Sequence, residues 1–120
     1  MVDFSTPFSG MNSDRKLTKS ELIRAVRLMI ADEYEAVQVY TQLAESIDDE
    51  LARDVLLDIA DEEKVHAGEF LRLLKELAPD EAAFYDQGAR EVEDVIAAMK
   101  KGVESSTPPS EGTTIGSLKE

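Results

Sequence analysis

Three ionisable residues, Glu33, Glu63 and His66, stand where helical spacing calls for apolar side chains. Glu33 lies four residues after Met29 and four before Val37, on an apolar helix face. Glu63 and His66 are three residues apart and project from one helix face as a Glu-x-x-His motif. A buried carboxylate is costly unless it is paired or coordinated, and the basic residues of both helices lie away from these faces. A bound cation is the remaining partner.

Glu-x-x-His is a ligand motif of di-iron carboxylate bundles, which use two such motifs plus one Glu from each of two further helices. This chain holds half of that set, because it has a single His. Two copies related by a twofold axis would supply four carboxylates and two imidazoles, so −4 would face the +4 of two ferrous ions. Oxygen ligands with some imidazole suit iron or manganese, although zinc could also enter.

Further polar residues surround this set. Asp32, Glu35 and Glu62 flank it, either as a solvated acidic face or as an entrance that attracts cations. Tyr40 lies two turns after Glu33, either as a core residue or as a hydrogen-bond donor beside the metal ligands.

Capping signals and periodicity predict three helices. Thr18 and Glu21 form a capping box at the start of a helix that runs to about Ser46. Asp48 and Asp49 can cap a second helix, which runs to about Leu77. Its apolar face comprises Ala52, Leu56, Ile59, Glu63, His66, Phe70, Leu73 and Leu77. The short connection predicts an antiparallel hairpin.

A shorter third helix is predicted from Pro79 or Asp80 to Lys101, ending at Gly102. Tyr85, Val92, Val95, Ile96 and Met99 lie along one side of it. The predicted organisation is a flexible leader (1–17), a helical domain (18–101), a flexible linker (102–112) and a terminal peptide (113–120). One hairpin and one shorter helix cannot enclose a bundle core, so we expect a homo-oligomer.

Composition excludes several classes of function. The 120 residues carry 13 Lys plus Arg against 26 Asp plus Glu, a net charge of −13 that disfavours nucleic acid and anionic membranes as partners. There is no Cys, which excludes disulfides and thiolate metal sites within these residues. The sequence has no apolar run of membrane-spanning length and no signal-peptide pattern, which indicates a cytoplasmic protein.

Two segments, Asp32 to Tyr40 (DEYEAVQVY) and Asp61 to His66 (DEEKVH), closely resemble the encapsulated ferritin family. The tail Ile115, Gly116, Ser117, Leu118 and Lys119 resembles the peptide that targets such cargo to encapsulin shells.

The resemblance implies a ferroxidase that oxidises Fe(II) at a centre with two irons per subunit pair. It implies iron ligation by Glu33, Glu63 and His66 with Tyr40 beside them, and iron entrance past Asp32 and Glu35. Val39 departs from the pattern, since some relatives carry an aromatic residue there.

The same resemblance implies an all-α fold in which each chain is half of a ferritin-like four-helix bundle, completed by dimerisation. It further implies a ring of dimers, a decamer, carried inside an encapsulin nanocompartment and acting in iron storage and detoxification. Two alternatives stay open: a rubrerythrin-like di-iron peroxide reductase and a non-enzymatic, metal-binding helical adaptor.

Overall fold

The computed structural model describes residues 12–106, which contain three α-helices and no strand. Helix α1 spans Lys19–Glu45, α2 spans Glu50–Leu77 and α3 spans Pro79–Ser106. The predicted all-α class is therefore confirmed. The predicted terminal peptide at 113–120 lies outside the described residues, as do positions 1–11 of the predicted leader.

The predicted capping box fixes the start of α1. The Thr18 hydroxyl accepts a hydrogen bond from the N–H of Glu21 at 3.1 Å, and the Glu21 carboxylate accepts one from the N–H of Thr18 at 2.8 Å. Arg15 adds two charge-assisted bonds to the same carboxylate, at 2.8 and 2.7 Å. The Glu21 carboxylate thus accepts hydrogen bonds from both Arg15 and Thr18. The first turn of α1 is therefore stabilised by residues that are close to Glu21 in sequence.

The connection between α1 and α2 is short and capped. Ser46 ends α1, and the Asp49 carboxylate accepts a hydrogen bond from the N–H of Ala52 at 2.8 Å. At the other end of α2, the N–H of Ala78 donates to the carbonyl of Leu74 at 2.8 Å. Pro79 then begins α3, where its missing N–H costs no hydrogen bond.

Helices α1 and α2 pack against each other as the predicted antiparallel hairpin. Val26 and Ile30, near the start of α1, share a buried cluster with Leu74, near the end of α2. Four half-buried apolar residues pack around this cluster: Ile23, Phe70, Leu77 and Ala78. Residues of opposite ends meet in this way only when the two helices run in opposite directions.

The predicted apolar face of α2 lies next to the residues that are buried most completely against α1, and it is only partly covered by them. The buried residues of α2 are Ala60, Ala67 and Leu74, seven residues apart. On the predicted face Phe70 is half-buried, and Leu73 is 42% exposed. Helix α2 thus carries two neighbouring series of apolar residues with helical spacing, the predicted one and the buried one. The buried series includes two alanines, whose small side chains allow α1 and α2 to approach each other closely.

The third helix is longer than predicted. It has 28 residues, as many as α2, and it continues through Gly102 to Ser106. The prediction of an end at Gly102 was wrong because Gly102 has no left-handed backbone conformation there, so it does not act as a C-cap. The first residues of the predicted linker are therefore helical.

The chain divides after Pro79, so α3 from Asp80 onward belongs to a second unit. The five apolar residues predicted along one side of α3 are 41–59% exposed. None of the three helices is both long and apolar enough to cross a bilayer, within the part of the chain that the structure describes.

Candidate metal centre

Glu33 from the middle of α1 meets Glu63 and His66 from the middle of α2. Nδ1 of His66 lies 3.0 Å from Oε1 of Glu63 and 3.7 Å from Oε2 of Glu33. Glu63 and His66 share a helix face because they are three residues apart, and the antiparallel packing brings Glu33 to their level. One possible ligand atom from each residue lies within 4.8 Å of the other two.

These distances suit a shared metal ion. Bonds from a metal to carboxylate oxygen or imidazole nitrogen are about 2.0–2.2 Å, so two ligand atoms on one ion are at most about 4.4 Å apart. The separations of 3.0 and 3.7 Å from His66 fall inside that limit. Small side-chain rotations would bring the whole set within range. Two carboxylates and one imidazole form a donor set of the kind that iron and manganese accept.

The ionisation of the three residues is linked, because each one shifts the pKa of the others. A hydrogen bond with Glu63, followed by burial and the Glu63 charge, raises the pKa of Glu33 to about 7. The same hydrogen bond lowers the pKa of Glu63, and the hydrogen bond that the His66 ring makes to the Glu63 carboxylate raises the pKa of His66. The carboxylate pair therefore keeps a proton to a higher pH than a free carboxyl group would. A divalent cation can replace that proton and compensate more negative charge.

The three residues lie on an open face of the hairpin, hereafter the site face, defined by Glu33, Glu63 and His66. The side chains of Glu33 and Glu63 are each 17% exposed, whereas that of His66 is 49% exposed. A single chain therefore covers most of the two glutamate side chains and leaves about half of the imidazole accessible.

The other predicted site residues lie outside this three-residue group. Tyr40 and Glu35 are half-buried on α1, and Asp32 and Val39 are exposed. Asp32 does act on the site, since its charge contributes to the raised pKa of Glu33. The predicted shell-targeting residues, Ile115, Gly116, Ser117 and Leu118, lie outside the described part of the chain.

One residue at the site was missed in the sequence. The charge of Glu69 contributes to the raised pKa of His66. Glu69 follows His66 by three residues, so helical spacing alone places the two side chains near each other.

Comparison with known proteins identifies the family. The family model for rubrerythrin matches residues 25–109, which is more than half of the chain. The crystal structure of the encapsulated ferritin domain from Pyrococcus furiosus matches with a TM-score of 0.68 at 40% identity, covering 75% of this chain and 92% of that one.

Two relatives match in sequence. The ferritin-like-encapsulin shell fusion protein of Pyrococcus furiosus is 41% identical over 85 residues, which is 71% of this chain and 25% of that protein. This chain thus aligns with about a quarter of the fusion protein. The encapsulin nanocompartment cargo protein EncC of Myxococcus xanthus is 32% identical over 127 residues, covering 96% of this chain and 97% of that protein. These matches confirm the family that the motifs indicated, and the chain belongs to the rubrerythrin family, together with the encapsulated ferritins.

Proposed function

We propose that this protein is a ferroxidase that oxidises Fe(II) to Fe(III) at a two-iron centre shared between two subunits. The observation that carries the proposal is the convergence of Glu33, Glu63 and His66 on the open site face. One chain supplies half of the donor set of a di-iron carboxylate bundle, and the open side leaves room for the other half.

A second copy is the natural source of the missing ligands. Apposition of two site faces brings together four carboxylates and two imidazoles, and two Fe(II) ions balance the four negative charges. The half-buried Phe70 and the 42% exposed Leu73 border the site on α2 and would be covered in the same contact. Two hairpins then form a four-helix bundle, and we propose that such dimers assemble further into a decameric ring.

In this function iron is the substrate. Two Fe(II) ions each lose one electron, and dioxygen takes up both electrons with two protons to give hydrogen peroxide. Glu33 and Glu63 bind the ions and release the proton held between them, and His66 supplies the nitrogen ligand. Asp32 and Glu35 gather cations at the entrance, and Tyr40 lies beside the ligands as a hydrogen-bond donor.

The decisive test adds Fe(II) to the purified full-length protein and measures oxygen consumption and the mass of the protein in solution. We expect rapid oxygen uptake and a shift toward dimers and larger rings when iron is added. A protein that stays monomeric with and without iron would contradict the shared centre. Metal binding without oxygen uptake would favour the adaptor alternative.

A rubrerythrin-like peroxide reductase is the second candidate, and the family match to rubrerythrin is the observation that favours it. Such an enzyme needs an external electron donor, and the 120 residues contain no Cys for a rubredoxin-type iron site. The test is peroxide consumption by the reduced protein without added Fe(II). Sustained turnover with a reductant would favour this candidate over the ferroxidase.

We further propose that the protein is cargo of an encapsulin shell, where the oxidised iron accumulates. Two relatives, one named as a cargo protein and one as a fusion to a shell protein, support this partner. The tail then docks Ile115 and Leu118 into apolar pockets of the shell, with Gly116 and Ser117 between them.

Deletion of residues 114–120 should leave oxygen uptake unchanged and abolish co-purification with a co-expressed encapsulin. A matched control replaces Ile115 and Leu118 by Ser in the full-length chain, which keeps the length and removes the apolar side chains. Normal packaging of both variants would show that another part of the protein contacts the shell.

A further inference from the structure

We propose that Ala67 is a positioning residue that sets the distance between α1 and α2 at the metal centre and so holds Glu33 within reach of His66. Ala67 touches no substrate in this proposal and acts through the spacing of the two helices. The inference rests on the proposed function, because it assigns a role to a residue beside the centre described above.

Ala67 lies in the contact between the two helices. It is 4% exposed, although it follows the half-exposed His66 directly in sequence. Helix α1 packs along α2 in the hairpin, so a side chain buried at this point of α2 faces α1. The series Ala60, Ala67 and Leu74 has the seven-residue spacing of helices that pack lengthwise.

The register of the hairpin places Ala67 level with Glu33. Glu33 lies beside Glu63 and His66, and Val26 and Ile30 share a cluster with Leu74. Residues 66–74 of α2 therefore lie opposite residues 26–33 of α1. Ala67 is in this interval, at its end nearest the site.

Side-chain size at this level controls the geometry of the ligands. The axes of packed helices are about 8–10 Å apart, and the side chains at the contact decide where in that range they lie. Ligand atoms on one ion are at most about 4.4 Å apart, and Glu33 and His66 are already separated by 3.7 Å. An increase of about 2 Å in helix separation would place them beyond that limit, whereas Glu63 and His66 share one helix and would keep their spacing.

Ala44 provides a matched control. It is 1% exposed in the same hairpin, and it lies eleven residues, about 16 Å of helix, from Glu33. Substituting a larger residue at Ala44 overpacks the hairpin to a similar degree and does so far from the centre.

The experiment compares Ala67→Leu, Ala67→Ser and Ala44→Leu with the wild type in the full-length chain. It measures Co(II) affinity by calorimetry, the melting temperature in the presence of a chelator, and oxygen uptake with Fe(II). We expect Ala67→Leu to weaken Co(II) binding by about tenfold or more. Ala67→Ser and Ala44→Leu should stay within about threefold of wild type, even where Ala44→Leu lowers the melting temperature as much as Ala67→Leu does. Ala67→Val replaces Ala67→Leu if the latter does not fold.

The outcomes separate the positioning role from the proposed function. Equal Co(II) affinities in the two Leu variants would overturn the positioning role, because the effect would then follow general stability. Unchanged binding in Ala67→Leu would overturn it as well. A wild-type protein that binds Co(II) and takes up no oxygen would contradict the ferroxidase, while the affinity comparison would still decide the role of Ala67.

Discussion

Helix α1 carries two glutamates of similar exposure whose carboxyl groups behave in opposite ways. The Glu21 side chain is 28% exposed and that of Glu33 is 17% exposed. The pKa of Glu21 is lowered to about 2, first by its hydrogen bond with Arg15 and then by the N–H of Thr18. The pKa of Glu33 is raised to about 7, first by its hydrogen bond with Glu63. Burial opposes ionisation of both residues, so the neighbours decide the difference.

This difference in pKa distinguishes a carboxylate that stabilises the fold, Glu21, from one that can bind a cation, Glu33. Glu21 has cationic and backbone donors within six residues of sequence, and its negative charge is stabilised by the chain itself. Among the described groups that shift the pKa of Glu33, two are carboxylates and the one cation is His66, if protonated. None of these groups is an Arg or a Lys, so Glu33 has no partner with the permanent positive charge that Arg15 gives to Glu21.

Replacing one of the three proposed metal ligands on the site face should have the largest effect on the rate of Fe(II) oxidation. Glu63→Ala or His66→Ala should lower the rate of Fe(II) oxidation by more than about 100-fold, because each substitution removes two ligands from a shared centre. Glu33→Ala should act in the same way. Oxygen uptake is the measurement, and circular dichroism should show intact helices. The matched control is Glu62→Ala, at an exposed position next to Glu63. A comparable loss in that variant would show that total charge, rather than ligation, drives the reaction.

Substitutions at the entrance should have an intermediate effect that depends on iron concentration. Asp32→Ala and Glu35→Ala should slow oxidation severalfold at low Fe(II) and leave the rate at saturating Fe(II) close to that of wild type, because these residues only gather ions. The initial rate as a function of Fe(II), at low and high salt, tests this expectation. Loss of the saturated rate would instead place the altered residue among the ligands.

Glu33→Gln keeps the shape of the side chain, and it should lower the rate of Fe(II) oxidation while raising the stability of the metal-free fold. Because the pKa of Glu33 is raised from 4.5 to about 7, the folded protein without metal holds a proton that the unfolded chain releases. The free energy of unfolding therefore falls as pH rises from about 4.5 to 7. Glu33→Gln removes this loss and should raise the melting temperature by about 5 °C at pH 8, with a much smaller gain at pH 4.

The measurement is thermal unfolding in a chelator across this pH range. The comparison of Glu33 with Glu21 predicts that loss of the carboxylate charge stabilises the fold in Glu33→Gln and does not do so in Glu21→Gln. A Glu33→Gln variant that is less stable than wild type at pH 8 would mean that the charge of Glu33 is already compensated within one chain.

Glu21→Gln should give the smallest effect, with the opposite sign. The lowered pKa of Glu21 stabilises the fold above pH 4.5, and this contribution is lost as pH falls through about 2. Glu21→Gln should lower the melting temperature at pH 7 by no more than about 5 °C, since the pair with Arg15 is exposed. Melting curves at pH 7 and pH 2 test this, and the two proteins should converge at the lower pH.

Local chemistry made the boundaries of α1 and α2, and the clustering of Glu33, Glu63 and His66, predictable from sequence. The Thr18 and Glu21 spacing determines a cap, and the Glu63 and His66 spacing determines a shared face, without knowledge of distant residues. The buried face of α2 was not predictable in this way. Ile59 and Phe70 are the larger apolar residues, yet the hairpin buries the smaller Ala60 and Ala67. The size of the apolar side chains indicated the face of α2 that a single chain leaves half-buried. The close packing of α1 against α2 determined which residues of α2 are fully buried.

If two chains share the metal centre as proposed, its metal retention would depend on mass action. A centre to which two chains contribute equally forms in proportion to the square of the chain concentration, and dilution releases partner and metal together. Tethering many copies in a confined volume raises their effective concentration without any new contact. In the proposed assembly, packaging would therefore keep the centre formed at cellular concentrations too low to maintain it in free protein.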